Sequence, residues 1–330
     1  MSTKSRTAKT QDGALLQVRD LTVRFRLRRG DLTAVNNVSF TLEPGERMGV
    51  VGESGAGKSV MGFSLINLIS KPGYIHSGSI RFEGRELVGL DDDAMRAIRG
   101  DRITMIFQDP MMTLNPVLTI GTQMTEVLKA HKGMSRSQAE EVAVDKLRQV
   151  YIPSPGKRLK QYPHEFSGGM RQRIVIAIAL LTNPGVIIAD EPTTALDVTI
   201  QAEIMDLLLE LTRLEKMALV LITHDLAVVS QVTEKIAVMY AGSVVEMGST
   251  DRIISRPSHP YTQGLLAALP QMAGTRRLNQ IPGTMPSLTA IPTGCAFQAR
   301  CSRCEEVCRS RVPLLTPKDN ECLAACHFLE

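Results

Sequence analysis

The eight residues GESGAGKS, Gly52 to Ser59, combine side chains suited to one task, holding a chain of phosphates. Gly52, Gly55 and Gly57 let the backbone wrap closely round phosphate oxygens. Lys58 supplies a point charge for β and γ phosphates, and the Ser59 hydroxyl is a ligand for Mg²⁺. The stretch fits G-x-x-x-x-G-K-S/T. The candidate nucleotide-binding residues are therefore Gly52, Glu53, Ser54, Gly55, Ala56, Gly57, Lys58, Ser59 and Val60.

Other polar residues stand where a second set of chemical roles would need them. The apolar run VIIAD ends in Asp190, followed by Glu191. At the carboxyl end of a strand both carboxylates can reach a phosphate crevice, Asp190 to hold Mg²⁺ mostly through water and Glu191 to polarise an attacking water as general base. His224 ends another such run and offers a donor near the γ phosphate. Gln108 ends a third, where its amide can sense both metal and water. In FSGGMRQR, Ser167, Gly168 and Gly169 leave backbone amides bare at the start of an apolar helix, a place for an anion.

All six cysteines, Cys295, Cys301, Cys304, Cys308, Cys322 and Cys326, fall near the end of the chain. In a reducing compartment such a cluster points to metal rather than to disulfides. Four thiolates suffice for a 4Fe–4S cluster, and they also make a tetrahedral zinc site; CSRC has a zinc-like spacing.

Strands and helices must position these groups. RMGVVG, VIIAD and MALVLIT are short apolar runs, each followed by a helical pattern, as in a mostly parallel sheet covered on both faces. From about Pro116 to Leu181 no strand pattern appears, and Ser135 to Gln138 is a capping box ahead of an amphipathic helix, so a helical subdomain is expected at about 116–181. RPSHPYTQGLLAALP predicts one more helix. The remainder is rich in Pro, Gly and Cys, an irregular region that needs a staple. The expected divisions are a disordered tail at 1–13, an α/β nucleotide-binding domain at 14–255 and a small Cys-rich extension at 256–330.

Composition excludes several classes. The chain has 330 residues, 43% of them hydrophobic, and a formal net charge of +4 with basic residues dispersed, so nucleic acid is not required as a partner. Trp is absent and aromatics make up 4%, which argues against a surface for stacking bases or sugars. No apolar run reaches membrane-spanning length, and the first residues have no apolar segment of a signal peptide; a cytoplasmic location is expected.

Taken in order, GESGAGKS, Gln108, SGGMRQR, IIADEP, TALD at Thr194 to Asp197 and His224 resemble the ATP-binding subunits of ATP-binding cassette (ABC) transporters. FQDPMMTLNP, YPHEFSGGM and HPYTQGLLAALP resemble the oligopeptide and dipeptide importers among them. The resemblance implies the P-loop NTPase cassette fold, a mixed sheet core with a helical subdomain, and an ATPase at the cytoplasmic face of the bacterial inner membrane. It implies that Phe25 stacks on adenine, that Gln108 and Ser59 serve Mg²⁺, that Asp197 lies in the loop between paired cassettes, and that Ser167, Gly168, Gly169 and Met170 act on ATP held by a partner cassette. Phe166 and Met170 depart from the usual Leu and Gln of that signature. The implied partners are a second ATPase subunit, commonly a paralogue, two membrane permease subunits and an extracytoplasmic peptide-binding protein, with the permease docking near Gln108. The extension resembles one in which Cys295, Cys301, Cys308 and Cys326 hold a 4Fe–4S cluster, Cys304 and Cys322 being spare. A nickel, glycoside or antimicrobial-peptide importer, and a soluble cassette protein acting on DNA or ribosomes, are the alternatives; the second usually carries a paired cassette, a coiled coil or a basic surface. A cassette with no turnover would lack Glu191.

Overall fold

The structure, a computed structural model, describes residues 13–28, 30–194, 196–269 and 280–329. Apart from Gly13, the expected disordered tail lies outside the described residues. Two long strands, β1 (Leu16–Leu27) and β2 (Gly30–Leu42), lead into β3 (Arg47–Val51) and helix α1 (Lys58–Leu65). Next come β4 (Gly73–Phe82), β5 (Arg85–Glu86), α2 (Asp92–Arg96) and β6 (Ile103–Ile106). Helices then dominate: α3 (Pro110–Thr113), α4 (Ile120–Lys132), α5 (Arg136–Gln149), α6 (Pro155–Arg158) and α7 (Gly168–Ala179). The chain returns through β7 (Val186–Asp190), α8 (Val198–Leu214), β8 (Ala218–Thr223), α9 (Leu226–Val232), β9 (Lys235–Tyr240), β10 (Ser243–Ser249), α10 (Thr250–Ser255) and α11 (Pro260–Ala267). The final described elements are α12 (Glu306–Ser310), β11 (Thr316–Pro317) and β12 (Cys322–Ala324).

The main sheet has the order β11-β12-β10-β9-β3-β8-β7-β6. From β9 to β6 every pair is parallel, with Val50 opposite Ile222 and Ile188 opposite Val220. Such strands are buried on both faces, which is why VIIAD and ALVLIT read as unbroken apolar runs. Alternation still sorts their side chains. Ile187, Ala189, Leu219 and Leu221 enter the core shared with α4, α5, α7 and α8, while Val186, Ile188, Val220 and Ile222 enter the core under β1, β2 and β4. Each of these eight residues is at most 1% exposed, so truncating a large one to Ala would cost about 2–5 kcal/mol.

The second sheet, β2-β1-β4-β5, is antiparallel. Between β6 and β7 the chain is helical, as the sequence predicts, and the Ser135–Gln138 capping box forms at the start of α5. The chain after α11 joins β10 through β12, with Met247 opposite Leu323, and it contributes Phe297 and Cys322 to the core that holds Tyr240 and Tyr261.

Candidate nucleotide site

The turn from β3 into α1 uses its glycines for space. A Cβ on Gly52 would lie 2.2 Å from the Met239 carbonyl oxygen, and one on Gly57 2.3 Å from that of Ala34; both have positive φ, 156° and 96°. Only glycine meets both demands. The turn folds back on itself, so that the Lys58 ammonium, 5% exposed, donates to the carbonyls of Gly52 at 2.8 Å and Glu53 at 3.0 Å. Burial lowers the Lys58 pKa, opposed by the nearby charges of Glu191, Asp190 and Glu53.

Ser59 Oγ donates to Asp190 Oδ1 at 3.0 Å, joining α1 to the end of β7. Asp190 is 2% exposed, and its pKa is raised first by burial and further by Glu191, while the Ser59 bond and Lys58 pull it down. This hydroxyl and carboxylate are oxygen donors of the kind Mg²⁺ takes, and their charge and placement beside Lys58 fit a metal-bound polyphosphate.

Glu191 is the meeting point of the remaining polar groups. Its Oε2 accepts from Gln108 Nε2 at 3.0 Å and from Thr194 Oγ1 at 3.0 Å, and its Oε1 lies 3.3 Å from His224 Nδ1. Its backbone has φ of 44°, in the left-handed region, and is pinned by its N–H donating to Ile222 O at 2.8 Å. A non-glycine residue held there carries strain of order 1 kcal/mol, a feature common at functional positions.

Lys58, Ser59, Gln108, Glu191 and His224 border a cleft of about 940 Å³, of a size to take a nucleotide, whereas Asp190 and Thr194 do not line it. Gly52, Glu53, Ser54, Gly55, Gly57, Lys58, Ser59 and Val60 line it, together with Phe25, Gln108, Glu191 and His224. Ala56 instead turns its methyl into the core, at 0% exposure. Leu265 and Leu288 also line the cleft. Sequence patterns gave no sign of these two, nor of Thr194 as a partner of Glu191.

None of Ser167, Gly168, Gly169 and Met170 borders this cleft. Ser167 caps α7, its Oγ accepting from Met170 N–H at 3.3 Å. The α7 mouth packs instead on the turn before α8 and on the first turn of that helix: a Cβ on Gly168 would stand 3.4 Å from Leu196 Cδ2, and one on Gly169 2.9 Å from Ile200 Cγ2. Asp197 caps α8 by accepting from Ile200 N–H at 3.0 Å.

Cys295, Cys301, Cys308 and Cys326 line one small cavity. The Cys301 and Cys326 sulfurs each accept a backbone N–H from two residues on, Arg303 and Phe328, at 3.4 Å. Burial pushes the Cys295 thiol up to about 11, and Cys308, Cys301 and Cys326 add to the push. Among the described residues, no three His, Cys, Asp or Glu side chains are grouped closely enough to hold a metal ion. Cys304 and Cys322 lie outside this cavity; Cys322 is buried, its Sγ 3.6 Å from Glu246 Oε1.

Comparison with known proteins adds to the geometry. Residues 35–194 match the family model described as ABC transporter, and residues 245–308 match that of the oligopeptide/dipeptide transporter C-terminal region. The chain is 50% identical over 308 residues to the oligopeptide transport ATP-binding protein OppD of Escherichia coli (strain K12), spanning 93% of this chain and 91% of that protein. It is 51% identical over 291 residues to OppD of Bacillus subtilis (strain 168), spanning 87% and 81%. Against the dipeptide transport ATP-binding protein DppD of Escherichia coli (strain K12) the identity is 46% over 316 residues, spanning 96% and 97%. A solved structure of the ATP-binding cassette MJ0796, a dimer in a post-hydrolysis state bound to ADP and Pi, superposes with a TM-score of 0.64 at 29% identity, covering 71% of this chain and 98% of that one.

Proposed function

Because this chain belongs to the ABC transporter family as an ATP-binding subunit of the oligopeptide and dipeptide importer type, we propose that it hydrolyses ATP to energise import of di- and oligopeptides across the bacterial inner membrane. The observation that carries the reaction is the convergence of Gln108, Thr194 and His224 on the Glu191 carboxylate, at the rim of a cleft floored by Lys58.

In this reading the amides of Gly52 to Val60 and the Lys58 ammonium hold the phosphates of ATP, and Phe25 packs against adenine. Ser59, Asp190 and Gln108 would hold Mg²⁺, which when bound offsets the charge building on the phosphate oxygens. Glu191 accepts a proton from water as the water oxygen bonds to the γ phosphorus and the bond to the β–γ bridging oxygen breaks, its electron pair leaving with ADP. His224 donates towards the departing phosphate. Gln108 and Thr194 aim the base.

The signature residues Ser167, Gly168, Gly169 and Met170 do not border their own chain's cleft, which supports a head-to-tail pair in which each signature helix completes the partner's site. Asp197 then sits at the pair's seam. Closure of the pair around ATP, and its release after hydrolysis, would move the attached permease subunits. Beyond Gln108, the apolar side chains of Met112 and Val117 are 85% and 75% exposed, and in this reading they meet a permease's cytoplasmic helix. No helix among the described residues is long and apolar enough to cross a membrane. The second cassette is proposed to be a paralogue, and an extracytoplasmic binding protein to deliver the peptide.

We further propose that Cys295, Cys301, Cys308 and Cys326 hold a 4Fe–4S cluster. Their common cavity and the N–H groups donating to two of the sulfurs suit thiolate ligands. Anaerobic purification should give iron and acid-labile sulfide, about four of each per chain. Stoichiometric zinc without sulfide would refute the cluster. For the complex, solubilised membranes should yield the chain together with two permease subunits and a second cassette; recovery with ribosomes or DNA instead would contradict the transport role.

A further inference from the structure

Glu53, the second residue of the phosphate-binding turn, is held at three points. Its carbonyl accepts from Lys58 Nζ at 3.0 Å, its N–H donates to the Tyr261 hydroxyl at 2.9 Å, and its carboxylate accepts from Arg300 Nη1 at 3.0 Å on both oxygens. Two of these three partners come from the chain beyond β10, Arg300 standing 247 residues away in sequence. The Arg300 side chain is 5% exposed. The rest of its guanidinium is committed as well: Nε donates to the Pro282 carbonyl at 2.9 Å, and the plane lies 5.8 Å from the Tyr240 ring and 5.9 Å from that of Phe297.

This is a rigid bracket rather than a surface ion pair. Tyr240, Tyr261 and Phe297 pack edge-on or tilted around it with ring centroids 4.7 to 5.5 Å apart, and Tyr240 ends β9, whose Met239 carbonyl already crowds Gly52. The arginine end of the pair is buried while the Glu53 side chain is 31% exposed, and removing the carboxylate would leave a buried guanidinium short of its charged partner. Among the described residues, the Lys58 ammonium is held by hydrogen bonds to the Gly52 and Glu53 carbonyls, so the position of Glu53 reaches the phosphate-binding charge directly.

We propose that Arg300 is a positioning residue for the phosphate loop: from the C-terminal region it clamps Glu53, with Tyr261, and so sets the Lys58 geometry that binds nucleotide. The inference rests on the assignment of the cleft as the ATP site. It gives the C-terminal region a part in the reaction, since Arg300 directly precedes Cys301 and thus joins the cysteine cavity to the phosphate loop.

The test uses the full chain and a fluorescent ATP analogue with Mg²⁺. Arg300→Ala should weaken binding about tenfold, Arg300→Lys should recover most of that loss, and Tyr261→Phe, which keeps the ring and removes the acceptor, should weaken binding about threefold. In the assembled transporter these variants should raise KM for ATP while kcat at saturating ATP stays within about twofold. A role in stability alone would lower the melting temperature and leave the dissociation constant unchanged. Lys58→Ala separates the two levels. Wild-type binding by Lys58→Ala would overturn the cleft assignment; loss of binding in Lys58→Ala with wild-type affinity in Tyr261→Phe, and in Arg300→Ala where it folds, would overturn the Arg300 inference alone.

Discussion

The Gln108 side-chain amide donates to Oε2 of Glu191 at 3.0 Å, bridging the turns after β6 and β7 across 83 residues of sequence. The same oxygen accepts from Thr194, so the carboxylate that is to take a proton from water has its orientation fixed from two directions. Thr194→Val removes one donor and keeps the shape of the side chain. It should lower kcat about threefold to tenfold with KM for ATP unchanged, measured on the assembled complex. A rise in KM at unchanged kcat would place Thr194 in nucleotide binding instead.

Gly168→Asp probes the separation between signature and cleft. Its Cβ would meet Leu196 at an ordinary 3.4 Å, so the variant should fold, and no residue of the cleft is altered. Equilibrium ATP binding to the isolated chain should stay within about twofold of wild type, while the site completed by this signature loses hydrolysis, since a carboxylate at the helix mouth repels the γ phosphate. Equal loss of binding in the isolated chain would show that the signature serves its own nucleotide.

Asp190 gives a prediction with a definite sign. Burial raises its pKa, so the folded chain holds that proton more tightly than the unfolded chain does. The associated stability is fully present below the ordinary carboxyl pKa and is lost as pH rises through the raised value; at neutral pH the charged carboxylate is a cost. Asp190→Asn should therefore raise the melting temperature of the nucleotide-free chain at pH 7, the gain shrinking as pH is lowered towards about 4, while weakening Mg²⁺-dependent nucleotide binding. Thermal scans across that range check it, and a lower melting temperature at pH 7 would contradict it.

Glu246 on β10 is 0% exposed and accepts from the backbone N–H groups of Ser258 at 2.6 Å and His259 at 3.0 Å. It fixes the approach to α11, the helix that carries Tyr261. Glu246→Ala leaves both donors buried without an acceptor and should destabilise the chain by about 2–4 kcal/mol, read from the denaturant midpoint. A change below about 0.5 kcal/mol would mean that water replaces the carboxylate.

What the sequence disclosed and what it concealed follow from chain separation. The turn at Gly52–Ser59, the parallel strands ending at Asp190 and Thr223 and the Ser135 capping box are local patterns, each written in a few neighbouring residues with a fixed period. The meeting of Gln108, Thr194 and His224 on Glu191 was only partly legible: three of the four were marked by lying at or near strand ends, whereas Thr194, though it opens the TALD motif, carried no sign of its bond to Glu191. The contacts from the C-terminal region left no trace at all. Arg300 on Glu53, Leu288 in the cleft and β12 on β10 depend on how a segment with little periodicity is laid against the sheet, and nothing local in GCAFQARC announces an arginine aimed at a phosphate loop.

The central claim is that this chain turns over ATP through Glu191 to drive peptide import. The direct measurement is ATP hydrolysis and labelled-oligopeptide uptake by the complete transporter reconstituted in proteoliposomes, with its binding protein outside, for wild type and for Glu191→Gln. Peptide should stimulate hydrolysis and uptake together in the wild type, and Glu191→Gln should bind ATP yet lose both by at least about a hundredfold. Undiminished hydrolysis in Glu191→Gln, or uptake that proceeds without ATP, would contradict the account.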